Sequence, residues 1–173
     1  MAGLTVSGDI HPILKDDYAS EWMGIEVVAL DDGHATIRMT LRQEMLNGFG
    51  MAHGGMIFAF GDTAFALACN QTTPTPADEG NITVASGVDI NFLKPAFRGQ
   101  TLTAVANRRA STGRSGLYDV QIYAADPGSE PGPTSASSST ASAATVPGQL
   151  PADIPPGELV AEFRGRSRTI SKK

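Results

Sequence analysis

Residues 54–69 read GGMIFAFGDTAFALAC. From Met56 to Cys69 apolar side chains occupy nearly every side of a helix, interrupted by Asp62. A helix of that kind must be buried over most of its surface. The apolar run is too short for a membrane span, and Asp62 breaks it. Strand-like segments lie on both sides. With five or six strands and one such helix (Gly54 to Asn70), the economical solution is an α+β fold. One curved antiparallel sheet would wrap around the helix, although other α+β layouts satisfy the same burial.

Working outward, Met45 to His53 is a Gly-rich loop containing Asn47-Gly48. Before it, Ile25–Leu30 and Ala35–Leu41 read as strands joined at Asp31-Asp32-Gly33, a turn signal. Pro12–Met23 reads as one short amphipathic helix, with Pro12 acceptable in its first turn. After a polar loop at 72–80, four strand patterns follow: Ile82–Phe92, Thr101–Arg109, Leu117–Ala124 and Leu159–Ile170. In the first, Ile82, Val84, Val88, Ile90 and Phe92 share a face, and Pro95 ends the run.

The chain reads as a single domain over residues 1–173, with a low-complexity insert at 126–158. Within the insert, Pro133 to Thr145 contains only Pro, Thr, Ser and Ala. Such a stretch buries too little surface to offset its ordering entropy, so a flexible insert is expected. It sits between the last two strands, where a long insertion is tolerated.

All 173 residues carry −5, from thirteen Lys and Arg against eighteen Asp and Glu. The insert holds Asp126, Glu130, Asp153 and Glu158, so thirteen against fourteen leaves −1 for the remainder. That balance argues against nucleic-acid binding. The single cysteine, Cys69, excludes an internal disulfide and a Cys-rich zinc site. Met1 to Leu14 has no basic region followed by an apolar run, so no secretory signal is expected and a cytoplasmic setting is the default. No membrane or metal is expected.

Several residues stand out for chemistry. Asp62 shares a helix face with Phe58, Phe65 and Cys69. A carboxylate there is costly unless bonded or reached by solvent. It is either a structural group tied to a nearby Ser, Thr or backbone atom, or a reactive one, and spacing does not choose between them. His53-Gly54-Gly55 opens the helix, where free N–H groups and the helix dipole suit an oxyanion. Two glycines before a helix are also simple helix entry. Asn47 could orient a water or serve only as a turn residue. Lys94, Arg98, Arg108, Arg109 and Arg114 fall in a stretch without acids, and 111–116 is a polar turn suited to phosphate or a plain solvated edge. Cys69, without a basic neighbour, reads as an inert packed thiol.

Taken together, MLNGFGMAHGGMIFAFGDTAFALACN (residues 45–70) resembles the signature of hotdog-fold acyl-CoA thioesterases, in the phenylacetic-acid-degradation (PaaI-type) branch. The resemblance continues through VDINFLKPAFRGQTLTA (88–104), TGRSGLYDVQIY (112–123) and FRGRSRTI (163–170). It implies a long helix wrapped by an antiparallel sheet, and a homodimer or homotetramer with sites at the subunit interface. It also implies hydrolysis of acyl-CoA thioesters, aryl-acetyl groups favoured, with CoA as part of the substrate and no separate cofactor. By motif, Asp62 would be the catalytic carboxylate and Gly54 the carbonyl-polarising N–H, supported by Asn47, His53 and Gly55. The CoA nucleotide would meet Thr112, Gly113, Arg114 and Ser115, with Lys94 and Arg98 as weaker candidates. Phe58, Phe65 and Met56 read as core before acyl pocket. Four readings compete: an acyl-CoA thioesterase of broader, medium- and short-chain specificity, a hydroxyacyl-thioester dehydratase, a non-catalytic acyl-CoA-binding protein, and an interaction protein working through the insert.

Helix geometry adds one expectation. Eight residues at ~1.5 Å each put Asp62 ~12 Å along the axis from Gly54. A nucleophile or base acts within about 3 Å of its target, directly or through one water. One chain's Gly54 and Asp62 therefore do not easily serve one carbonyl, and a site shared across a two-fold axis is expected.

Overall fold

A computed structural model describes residues 4–5, 7–73, 75–76, 80–129 and 155–172. Seven strands and two α-helices follow in chain order: β1 (Leu4–Thr5), α1 (Tyr18–Met23), β2 (Glu26–Asp31), β3 (His34–Thr40), α2 (Gly54–Cys69), β4 (Asn81–Phe92), β5 (Thr101–Thr112), β6 (Ser115–Ala125) and β7 (Glu158–Ser171). All strand pairs are antiparallel, in the order β1-β2-β3-β5-β6-β7-β4. This is the hotdog arrangement: one sheet around one long helix.

Period-2 alternation makes the sheet's inner face. Ala35, Ile37 and Met39 of β3, Leu102, Ala104 and Ala106 of β5, and Val120 and Ile122 of β6 are buried there, with Ala161 and Phe163 of β7. Against them α2 buries Ile57, Phe60, Ala64, Phe65, Leu67 and Ala68. Small residues set how closely helix and sheet approach. A Cβ on Gly165 would lie 2.5 Å from Phe65 Cδ2, so only glycine leaves room for that ring. Phe65 is held edge-on against Tyr118, centroids 5.4 Å apart.

Two features depart from the sequence expectations. Pro12–Met23 is not one helix. A 3-10 turn at Pro12–Leu14 is followed by Asp16 at φ +60, and α1 begins at Tyr18 under the Asp17 cap. The left-handed residue breaks the helical path. The polar turn at 111–116 contracts to Gly113 and Arg114, because β5 runs to Thr112 and β6 starts at Ser115. Gly113 takes φ +56, as a tight two-residue hairpin asks of its first turn residue. As expected, α2 is buried over most of its surface, with one opening. The sheet ends at β4, and beside that edge Phe58 remains 39% exposed.

β6 and β7 pair up to Ala124 and Glu158, and residues 130–154 of the expected insert lie outside the described residues. Its described ends are tied down: Glu158 pairs with Lys94 at 2.9 Å, and Asp126 accepts from Gln100 Nε2 at 2.9 Å.

Candidate active site

The loop before α2 is shaped by Asn47. Its side-chain oxygen accepts from the N–H groups of Phe49 at 2.9 Å and Met51 at 3.3 Å, and its backbone carbonyl accepts from Gly50 N–H at 3.0 Å. This Asn turn delivers the chain to a fixed entry point, where His53 N–H donates to Met45 O and Ala52 N–H to Ala96 O, both at 2.8 Å. Asn47 thus acts as a turn residue through its oxygen, while its NH2 group has no partner among the described residues.

His53 caps the helix. Its Nδ1 accepts from Gly55 N–H at 2.9 Å, which engages that ring nitrogen and one of the two glycine donors. The remaining donor, Gly54 N–H, has no partner among the described residues. It stands at the positive end of the α2 dipole. The expected pair of glycine donors therefore resolves into one engaged amide and one free one.

Asp62 lies two turns on. Positions 54, 58 and 62 repeat at i, i+4 and i+8, so Gly54, Phe58 and Asp62 line one side of α2. The Asp62 carboxylate is half-buried, and burial holds its pKa above the ordinary Asp value. Among the described residues no hydrogen bond or ion pair reaches it. The neighbouring hydroxyl of Thr63 is 3.2 Å from Ser20 Oγ on α1 instead, so it does not provide the structural tie that Asp62 could have had. Cys69, about two turns further along the same side, feels both burial and the Asp62 charge. Its thiol is pushed up to about 12, which makes it inert.

The cationic candidates separate into two groups. Lys94 and Arg98 lie at the Gly54 end, where Lys94 is paired with Glu158 and Arg98 donates to Gln43 Oε1 at 3.1 Å. Thr112, Gly113, Arg114 and Ser115 form the β5–β6 tip at the opposite end. Ser115 pairs with Arg168 on β7, whereas Phe92, which lies over Gly54, pairs with Ala161. Seven residues along β7 at ~3.3 Å each separate these levels by ~23 Å. One chain does not bring the tip and its own Gly54 together. Arg114 Nε donates to Thr169 O at 2.9 Å, and no carboxylate among the described residues pairs with its guanidinium. Arg108 and Arg109 are taken by Asp32 at 2.7 Å and Asp119 at 3.2 Å.

Two residues at this site escaped the sequence reading. Phe92 was visible only as the last apolar residue of a strand face, yet its ring covers Gly54. Arg168 lay unremarked in the last strand pattern, Leu159–Ile170, and the register sets it beside the tip. Of the aromatic residues read as core, Phe65 is core at 1% exposure and Phe58 is not. Among the described residues no helix is long and apolar enough to cross a membrane, and no cluster of His, Cys, Asp or Glu could hold a metal ion.

Comparison with known proteins places the chain in a family. Residues 49–130 match the Thioesterase superfamily. The acyl-coenzyme A thioesterase PaaI of Escherichia coli is 40% identical over 112 residues, covering 65% of this chain and 75% of that protein. A solved structure of the E. coli PaaI protein, from the phenylacetic acid degradation operon, superposes with a TM-score of 0.69 at 31% identity, covering 97% of this chain and 98% of that one. The TT0310 protein of Thermus thermophilus, 24% identical with a TM-score of 0.62 over 88% of this chain and 97% of that one, shares the fold. The chain belongs to the thioesterase superfamily and, within it, to the PaaI-type acyl-CoA thioesterases, a family of thioester hydrolases.

Proposed function

We propose that this protein hydrolyses aryl-acetyl-CoA thioesters, phenylacetyl-CoA and hydroxyphenylacetyl-CoA among them, to the free acid and CoA, in phenylacetate catabolism in the cytoplasm. The observation that carries the proposal is that one side of α2 holds both the Gly54 N–H and the half-buried Asp62 carboxylate, neither with a partner among the described residues. In the proposed assembly two chains meet so that Gly54 of one faces Asp62 of the partner subunit, in a homodimer or homotetramer. The outer edge of β4, which pairs with no strand among the described residues, and the open side of α2 beside it favour that assembly.

The thioester oxygen accepts from Gly54 N–H, and the helix dipole favours the negative charge that grows there. Ionised Asp62 takes a proton from a water, and the resulting hydroxide attacks the carbonyl carbon. The tetrahedral intermediate collapses by breaking the C–S bond. The CoA thiolate leaves with a proton, and the acid product remains. In a variant route Asp62 attacks the carbonyl itself and water hydrolyses the mixed anhydride. Label from heavy-oxygen water appearing in Asp62 after a single turnover identifies that second route. The tip residues Thr112, Gly113, Arg114 and Ser115 hold the CoA phosphates, with Lys94 and Arg98 contributing less. CoA is part of the substrate and the chemistry uses no further cofactor.

The test is thiol release from a panel of phenylacetyl-, hydroxyphenylacetyl-, benzoyl-, short-chain and long-chain CoA esters. Wild type should turn over the aryl-acetyl esters, and Asp62→Ala should lose ~10²–10⁴-fold. Folded wild type that releases no thiol from any ester overturns the proposal. Equal rates on all acyl groups would replace aryl-acetyl specificity with a broader medium- and short-chain activity.

A further inference from the structure

Phe92 ends β4, and its cross-strand partner is buried Ala161, two residues after Ile90 pairs with Phe163. Opposed residues in an antiparallel pair point to the same face, so the ring is on the helix side of the sheet. There it meets the first residue of α2. A Cβ at Gly54 would lie 3.2 Å from Phe92 Cζ and 3.6 and 3.7 Å from its Cε atoms. For an inward-facing aromatic residue it is unusually open, 53% exposed. Phe58, one turn along the same side of α2, is also half-exposed, with its ring 5.7 Å from that of Phe163. Phe92 and, one turn on, Phe58 are thus two accessible aromatic rings on the side of α2 whose first N–H, that of Gly54, has no partner among the described residues.

We infer that Phe92 is a specificity-determining residue whose ring forms the apolar wall against which the acyl group lies. The inference rests on the thioesterase reading above. A thioester oxygen accepting from Gly54 sits ~2.9 Å from its nitrogen. The acyl chain then begins within a side-chain length of the Phe92 ring. An aryl-acetyl group presents a flat ring to it, whereas an acetyl group ends before reaching it. Offset or edge-on packing of two rings adds to the area they bury, and together these amount to about tenfold in affinity.

The experiment compares wild type, Phe92→Ala, Phe92→Leu and Phe92→Tyr. It measures kcat/KM for phenylacetyl-CoA and acetyl-CoA, and Kd for the non-hydrolysable thioethers S-phenethyl-CoA and S-ethyl-CoA. Phe92→Ala should lower the phenylacetyl-to-acetyl ratio about tenfold and weaken S-phenethyl-CoA by the same factor, with S-ethyl-CoA unchanged. Phe92→Tyr should restore most of both, and Phe92→Leu, which keeps an apolar side chain, should fall between. Unchanged ratios overturn the inference. So does an equal loss on both members of each pair, since that marks a general disturbance of the helix start. If wild type releases no thiol yet discriminates between the thioethers through Phe92, hydrolysis is overturned and the Phe92 wall stands.

Discussion

The shared-site geometry makes a sharp demand on mixtures of two inactive chains. Gly54→Pro removes the one N–H at the helix start that has no partner among the described residues, so no protein hydrogen bond is lost. Gly54 is the first helical residue, where proline's missing donor and fixed φ are tolerated. His53 before it is already extended at φ −65 and ψ 130, as a residue preceding proline must be. The added ring atoms press on Phe92, which is half-exposed and free to yield. Loss of one oxyanion donor costs ~10²–10³ in kcat. Asp62→Ala is the second inactive chain. In a two-fold dimer each site takes Gly54 from one subunit and Asp62 from the other. A mixed dimer therefore has one site with both groups and one with neither. Random exchange makes about half the dimers mixed, so an equimolar mixture should recover about a quarter of wild-type activity. The assay is thiol release from phenylacetyl-CoA before and after subunit exchange, with differently tagged chains counted by native mass spectrometry. Mixed dimers that are present in number but no more active than either parent refute the reasoning, because a site within one chain gains nothing from mixing.

Other consequences follow from packing and titration. Gly165→Ala puts a methyl group 2.5 Å from a fully buried Phe65, well inside the ~3.5 Å of ordinary carbon contact. It should destabilise by about 2–3 kcal/mol in urea melts, with much of that recovered in a Phe65→Leu background. Burial pulls the pKa of the His11 imidazole below its ordinary value, against the opposing pull of the Asn70 carbonyl 3.1 Å away. The unfolded chain then binds the extra proton first, so stability should fall as pH drops below ~6.5. Urea midpoints measured across that range should show the loss, and His11→Gln should reduce it. The acid limb of kcat/KM should lie above the ordinary Asp value, since burial raises Asp62, and it should vanish with Asp62→Asn. Cys69 should resist thiol reagents in the native protein and react only on unfolding, as its pKa of about 12 requires.

Much of this molecule was legible before any coordinates. The apolar run at 56–69 identified α2 as a helix buried over most of its surface, for which a wrapping sheet was the economical cover, and alternation located every long strand. Asp62 stood out because a lone carboxylate in such a helix is expensive. What escaped depended on contacts distant in sequence. The basic stretch around Arg108 looked free of acids because its partners, Asp32, Asp119 and Glu158, come from other parts of the chain. Strand order was hidden as well. β4 precedes β5 in the chain but pairs with β7, which sends it to the edge and leaves Phe58 and Phe92 open. Asp16 showed no sign of its left-handed backbone, so the N-terminal helix was drawn too long.

The connection between β6 and β7 bears on how this protein can be engineered. Its two ends are fixed beside each other, Ala124 opposite Glu158, so the sheet dictates where the chain leaves and returns but not what lies between. Doubling the length of such a loop costs only ~0.6 kcal/mol, so a short turn or a whole reporter domain could replace it at little thermodynamic expense. Position is another matter. Glu158 holds Lys94, and Val160 O accepts from Leu93 N–H at 2.8 Å, so the splice point adjoins the Phe92 end of β4. A fluorophore grafted there would stand at the doorway of the helix N-terminus. It would sense arriving ligands, and a bulky graft would obstruct them.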